Sequence, residues 1–288
     1  MLTLYHNDMS LCAQKVRICL AEKGLAWEDK HLVLRAAEHQ QPWYLKLNRR
    51  AVVPTLLHDG HVVTESNVIL EYLEDVFPQP RLRPNDPHQR SKMRLWTKQL
   101  DEDVHDACAA ILSFGIAFRH QYLERAELGK AMLERVPNIF KRERRRDVIE
   151  KGTRSQHFII AVQRMLQLLD EMEEALTEHR WLGCEEYTLA DVAFTPYLAR
   201  LEHLNIFGMV HDRSHVAEWY GRCKARPSFE AGIKRRENPS YIELMKRRGA
   251  EHWPEVQSIM AGLKSAAWSP GQALRSSRSP IRGRTERL

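Results

Sequence analysis

Ser10 and Cys12 stand two residues apart in the run Ser10-Leu-Cys-Ala-Gln-Lys-Val-Arg17, where a short apolar segment gives way to a helical pattern. A hydroxyl or thiol at that junction sits beside the positive end of a helix dipole, which stabilises an anion, either the protein's own thiolate or a ligand's. The alternative is that Ser10 only caps the helix. A second feature is Val52-Val53-Pro54-Thr55, a proline at the head of a strand. A cis bond before Pro54 is accessible and turns the Val53 amide and carbonyl outward to pair with an extended peptide; an ordinary edge-strand proline is the other reading. The third is Asp59-Gly-His-Val-Val-Thr-Glu65-Ser66-Asn67, a hairpin running into a helix. Backbone amides converge at Ser66, a natural carboxylate site, and Glu65 is placed to meet an ammonium group. Capping again competes.

A ligand with an amino-acid head, a peptide middle and a thiol would use all three features together, and glutathione has that constitution. The chemistry can be sized. A thiol of pKa about 8.5 is roughly 3% thiolate at pH 7. Lowering it by two units needs about 2.7 kcal/mol of differential stabilisation. A hydroxyl donor on the sulfur together with the helix dipole is of that order.

The elements that must position these groups follow from periodicity. Leu2-Thr-Leu-Tyr reads as a strand, Leu11 to Gly24 as a helix with a glycine C-cap, and Asp29 to Leu34 as a second strand. A hairpin turns at Asp59-Gly60. The pattern then predicts a helix over Ser66 to Phe77 with Val68, Ile69, Tyr72, Leu73 and Val76 on one face. This βαβ–ββα order builds a small mixed sheet covered by helices. Four prolines between Pro78 and Pro87 mark a linker. Beyond it the chain reads helical: Arg90 to about Tyr122, Gln156 to Thr177, and an apolar helix opened by the capping box Thr188-Leu-Ala-Asp191. The charge run Lys141-Arg-Glu-Arg-Arg-Arg-Asp reads as a solvated helix surface. The expected organisation is residues 1–79 and 89–254 as two domains, 80–88 as linker and 255–288 as a basic, disordered tail.

Composition bounds the rest. The 288 residues suffice for two domains, and 43% hydrophobic content is ordinary for a protein with a buried core. The net charge of +6 is mostly terminal, since residues 255–288 hold six Lys/Arg against two Glu, leaving +2 for the remainder. That argues against nucleic acid as a partner of the folded part. No apolar run is long enough for a membrane span, no leader pattern opens the chain, and five scattered cysteines make no disulfide framework. A cytoplasmic location is expected.

In combination, Ser10, Val53-Pro54, Glu65-Ser66, Glu22-Lys-Gly-Leu and the Thr188…Asp191 box resemble the cytosolic glutathione transferase superfamily over roughly residues 1–235. The resemblance implies an α/β thioredoxin-like N-terminal domain followed by an all-α C-terminal domain. It implies a cis bond before Pro54, glutathione held by Val53, its γ-glutamyl end at Glu65 and Ser66, and its glycyl carboxylate at His39, with Gln40 as competitor. It implies glutathione as co-substrate, no metal, and a homodimer. The serine at position 10 is similar to the theta, tau and zeta classes; Tyr5 is a rival. Cys12 is similar to the zeta-like Ser-x-Cys pattern and reads as a packing or tuning residue. The electrophile is expected against the long helices, with Phe114, Phe118, Tyr122 and Trp96 as candidates. The stretch from Val62 through Lys98 looks like bacterial β-aryl etherases, and Val136 to Arg146 is similar to etherase and dehalogenase branches, which displace phenoxide or halide with glutathione. Two alternatives to conjugation remain: a thiol-disulfide or dehydroascorbate-type reductase using Cys12, and a non-catalytic binding protein of the same fold.

Overall fold

The computed structural model describes residues 1–265. The N-terminal part folds as β1 (Leu2–His6), α1 (Leu11–Glu22), β2 (Glu28–His31), α2 (Pro42–Leu45), β3 (Thr55–His58), β4 (His61–Thr64) and α3 (Ser66–Val76). The sheet order is β2-β1-β3-β4, with β1 and β2 parallel and the other pairs antiparallel. This is the thioredoxin-like arrangement. The β3–β4 turn works because Asp59 and Gly60 both take positive φ, +48° and +87°, matching the twist of a tight hairpin. Gly24, at φ +61°, closes α1. β2 is shorter than the pattern predicts, ending at His31.

α1 is buried nearly all round, including Lys15 and Arg17. A helix enclosed on every side must satisfy its polar side chains internally. Arg17 does so by donating to the carbonyls of Asn7 (3.1 Å), Asp8 (2.8 Å) and Gly232 (2.8 Å). It thereby ties the β1–α1 loop to the C-terminal domain. In α3 the buried face is Ser66, Asn67, Ile69, Leu70, Leu73 and Glu74. Val68 and Val76, expected on that face, are exposed, because docking on α1 selects the stripe one residue round.

The linker is fastened by one buried lysine. Lys23 Nζ donates to Glu74 (2.6 Å) and to the carbonyls of Phe77 (2.8 Å) and Pro80 (3.0 Å). The helical part begins at α4 (Pro87–Gln99), capped by Asp86. It continues without a break through a π-helical segment (Leu100–Ala109), α5 (Ala110–Ser113), a second π segment (Phe114–Phe118) and α6 (Arg119–Glu124). There follow α7 (Ala126–Glu134), α8 (Ile139–Lys151), α9 (Gln156–Glu178), α10 (Leu189–His203), α11 (Ser214–Lys224), α12 (Pro227–Gly232) and α13 (Pro239–Ser265).

The Thr188–Asp191 capping box is present, and Asp191 goes further. Its carboxylate accepts from the Leu182 amide (2.9 Å), the Thr188 amide (2.8 Å) and the Trp219 indole (2.8 Å). One hydrophobic core runs from the sheet through α1 into α9 and α10, so the two domains share it. α13 corrects the expected start of the tail. Residues 255–265 are helical, with Val256 buried and Ile259, Met260 and Leu263 packed on the core. The rest of the expected tail lies outside the described residues. No helix among the described residues is long and apolar enough to cross a membrane.

Candidate active site

The three local features predicted to act together do converge at one end of the sheet. Ser10 is the N-cap of α1, half-buried, its Oγ accepting from the Ala13 amide at 3.3 Å. That bond uses a lone pair and leaves the hydroxyl proton free to donate. The Val53–Pro54 bond is cis, and Thr55 immediately after it pairs with Tyr5 across the sheet. The loop behind it is held by Asn48 Nδ2 and Tyr44 Oη, both donating to the Val52 carbonyl at 3.0 and 2.7 Å.

Glu65 takes φ +66°, a conformation a non-glycine residue adopts only at a cost of order 1–3 kcal/mol. The turn places it at the mouth of α3, where Arg50 meets its carboxylate at 2.6 Å. Ser66 is buried one residue on. Asn67 then accepts from Lys15 Nζ (2.9 Å) and donates to the Thr97 carbonyl (2.9 Å), which locks α3 to both α1 and α4. His39 and Gln40 lie together in a short helical turn, and His39 Nδ1 and Gln40 Oε1 are buried without a hydrogen-bond partner. Buried polar atoms in that state are uncommon in a native fold.

Cys12, read from the sequence as a packing or tuning residue, has a histidine partner. It is partly exposed, whereas the other four cysteines are buried. Its Sγ lies 3.5 Å from Nε2 of His105, which is in the first π segment. The His105 Nδ1 in turn is 3.1 Å from the Tyr197 hydroxyl on α10. Burial alone pushes the Cys12 thiol up, but His105 and Lys15, with hydrogen bonds from His105 and Ser66, bring it down to about 6. Burial likewise opposes a charge on His105, yet the facing Cys12 outweighs it and holds the imidazole above its ordinary range. Each group thus favours the charged form of the other. The sequence offered Cys12 but not His105, which stands 93 residues away.

Tyr5 does not compete for the Ser10 position, since its ring packs on Trp43 and Tyr44 at 6.1 and 6.0 Å. Trp96 is also removed from the electrophile candidates, because it packs edge-on against the buried Phe194 at 5.6 Å. Phe114, Phe118 and Tyr122 form one cluster, with centroid distances of 6.4 Å (Phe114–Phe118) and 5.5 Å (Phe114–Tyr122). Tyr241 of α13 extends it, 6.3 Å from Phe118. The charge run on α8 is not merely solvated surface. Lys141 pairs with Asp106, and the Arg145 guanidinium lies 5.0 Å from the Phe114 ring centroid. Among the described residues no cluster of three His, Cys, Asp or Glu side chains is arranged to hold a metal ion.

Comparison with known proteins agrees with this geometry. The family profile described as "Glutathione S-transferase, N-terminal domain" matches residues 1–75, and "Glutathione S-transferase, C-terminal domain" matches residues 123–222. Protein LigF of Sphingobium sp. (strain NBRC 103272 / SYK-6) is 31% identical over 257 residues, covering 86% of this chain and 97% of LigF. The tetrachloro-p-hydroquinone reductive dehalogenase of Sphingobium chlorophenolicum is 30% identical, covering 79% of this chain and 94% of its own. The crystal structure of the β-etherase LigF superposes with a TM-score of 0.72 at 29% identity, over 81% of this chain and 99% of that one. With both domains matched in order and the thiol-facing end of the sheet built as described, the chain belongs to the glutathione S-transferase family, in the neighbourhood of its bacterial etherase and dehalogenase members.

Proposed function

We propose that this protein activates the thiol of glutathione for nucleophilic displacement at an aromatic-substituted carbon, with phenoxide or halide as the leaving group. The observation that carries the reading is the meeting of two helix N-termini. Ser66 in the first turn of α3 lowers the pKa of the Cys12 thiol in the first turn of α1, and Ser10 caps α1 with a free hydroxyl proton. A tripeptide paired along Val53, with its amino-acid head at Glu65 and Ser66, brings its sulfur to Ser10. Its glycyl carboxylate falls towards His39, whose buried Nδ1 has no partner within the protein, with Gln40 beside it. Ser10 donates to the sulfur and the α1 dipole stabilises its charge, so the thiolate is the ground state at neutral pH. Attack forms a carbon–sulfur bond while the carbon–oxygen or carbon–halogen bond breaks, and the leaving group departs with the electron pair. Etherase and dehalogenase names among the relatives support that class of reaction. Incubating the protein with glutathione and a panel of aryl ethers, halogenated aromatics and a chloronitrobenzene tests it. Glutathione-dependent release of phenol or halide is expected; no turnover of any member of the panel contradicts the reading.

A second reading is favoured by the Cys12–His105 pair. A thiolate beside an imidazolium suits exchange with a glutathione mixed disulfide. Cys12 sulfur bonds to the glutathione sulfur and the partner leaves as thiolate. A second glutathione thiolate then releases glutathione disulfide and regenerates Cys12. Loss of disulfide reduction in Cys12→Ser, with aryl displacement retained, separates this activity from the first.

A further inference from the structure

Two guanidinium groups reach the aromatic cluster from opposite sides of the domain boundary. Arg35 belongs to the short turn Leu34–Ala36 after β2, and its Cζ lies 3.8 Å from the centroid of Tyr241 and 5.9 Å from that of Phe118. Arg145 comes from α8, 5.0 Å from the Phe114 centroid. Tyr122 senses the field of both, since Arg145 and Arg35 each favour its ionised form against the effect of burial. Arg145 also acts on His39, which burial and that positive charge together keep below the ordinary imidazole range.

Neither arginine is hydrogen-bonded or ion-paired to a carboxylate among the described residues. Arg50, Arg83, Arg94, Arg146, Arg164, Arg213 and Arg226 all have acidic partners. The nearby acid, Asp106, is paired with Lys141, and the Arg145 charge reaches it without an ion pair. A guanidinium set over a ring and without a carboxylate partner keeps N–H donors available to an anion. Two such groups beside an aromatic cluster match an aromatic anion.

We propose that this aromatic cluster selects aromatic co-substrates bearing a carboxylate or other anionic substituent, with Arg35 and Arg145 as the specificity-determining residues and Phe118 and Tyr122 beside the ring. The proposal rests on the transferase reading above for its catalytic consequence, but its binding consequence stands apart from it. The carboxylate of glutathione's own glycine is chemically similar, and the test separates the two sources.

The comparison uses 4-chloro-3,5-dinitrobenzoate and 1-chloro-2,4-dinitrobenzene, each rate divided by its uncatalysed rate with glutathione. The wild-type protein is expected to favour the benzoate by at least tenfold in kcat/KM. The Arg35→Gln/Arg145→Gln double variant is expected to lose that preference, with kcat/KM for the neutral chloride and KM for glutathione within about threefold of wild type. Equal loss on both acceptors, no wild-type preference, or a change confined to the glutathione KM overturns the proposal; the last assigns the arginines to the glycyl carboxylate. Calorimetry on the wild-type protein gives a measurement that needs neither turnover nor a folded variant. 2-Naphthoate is expected to bind at least tenfold more tightly than 2-naphthylmethanol, with the difference shrinking at high salt. Equal affinities overturn the anion preference even if transferase turnover is present. A clear preference for 2-naphthoate without turnover upholds it while the transferase reading fails.

Discussion

Cys12 and His105 meet across the domain boundary, Sγ to Nε2 at 3.5 Å, one from the first turn of α1 and the other from a π-helical stretch of the long helix. The thiol's acidity is thus produced jointly by two domains, and its chemistry can be read directly by alkylation.

Iodoacetamide labelling of Cys12 is expected to rise with pH through a midpoint near 6, because the thiolate is the reacting form and its pKa is lowered to about 6. The buried cysteines contribute little; burial pushes the Cys19 thiol up to about 12, for example. His105→Ala removes the imidazolium partner, so the midpoint moves upward by about one unit or more. A pH–rate profile followed by mass spectrometry measures both. An unchanged midpoint in His105→Ala removes the histidine from the account.

Ser10→Ala is expected to lower kcat for aryl displacement about 10²-fold, the usual scale for deleting one donor to a developing or resident anion. Glutathione affinity changes by less than about threefold, because Val53, Glu65 and Ser66 remain. The variant also loses its cap on α1, so unfolding in urea shows about 1 kcal/mol less stability. Ser10→Thr keeps a cap and a hydroxyl and restores part of both. Kinetics in Ser10→Ala equal to wild type contradict the role.

Asp191→Ala is expected to cost about 3 kcal/mol or more in urea unfolding. The carboxylate satisfies the amides of Leu182 and Thr188 and the Trp219 indole, all in a fully buried site. Removing a shared acceptor leaves each donor desolvated and unpaired. Asp191→Asn retains acceptor oxygen on one side only and lies between the two.

Gly232→Ala tests the docking of α12 on α1. A Cβ at this position meets Ile18 Cγ1 at 2.7 Å and the Ile18 amide nitrogen at 2.9 Å, and the same residue's carbonyl accepts from Arg17. Backbone on backbone cannot yield without separating the helices, so a loss of about 2 kcal/mol and a lower Tm are expected. Because α1 carries Ser10, turnover falls with it.

The parts of this architecture that were legible in the sequence are those set by neighbours in the chain. The Asp59-Gly60 turn, the Ser10 and Thr188 caps, Gly24 and the proline before β3 each announce themselves within a few residues, since turns and helix ends are made by local hydrogen bonds. The Cys12–His105 pair, and Arg35 meeting Tyr241, involve residues far apart in sequence, and no spacing rule connects them. His105 did leave a trace, as a titratable residue between Val104 and Cys108 on an otherwise apolar-periodic stretch. Arg145 was hidden by its company: in a run of like charges the member that faces the cleft has no distinguishing composition. The tail boundary was a misreading of available signal. Val256, Ile259, Met260 and Leu263 recur at helical spacing, but the basic composition of residues 255–288 drew the boundary too early.

The second π-helical segment, Phe114–Phe118, has a consequence for how the long helix tolerates a change in length. A π turn accommodates one more residue than an α turn, so losing a single residue there restores ordinary winding. The helix beyond it keeps its facing, because the π turn and the α turn each close one revolution. Phe118 and Tyr122 would therefore stay beside Phe114, and Cys12 and Ser10 would be untouched. A one-codon deletion here thus shortens the chain by a residue without turning either end of the long helix away from its neighbours.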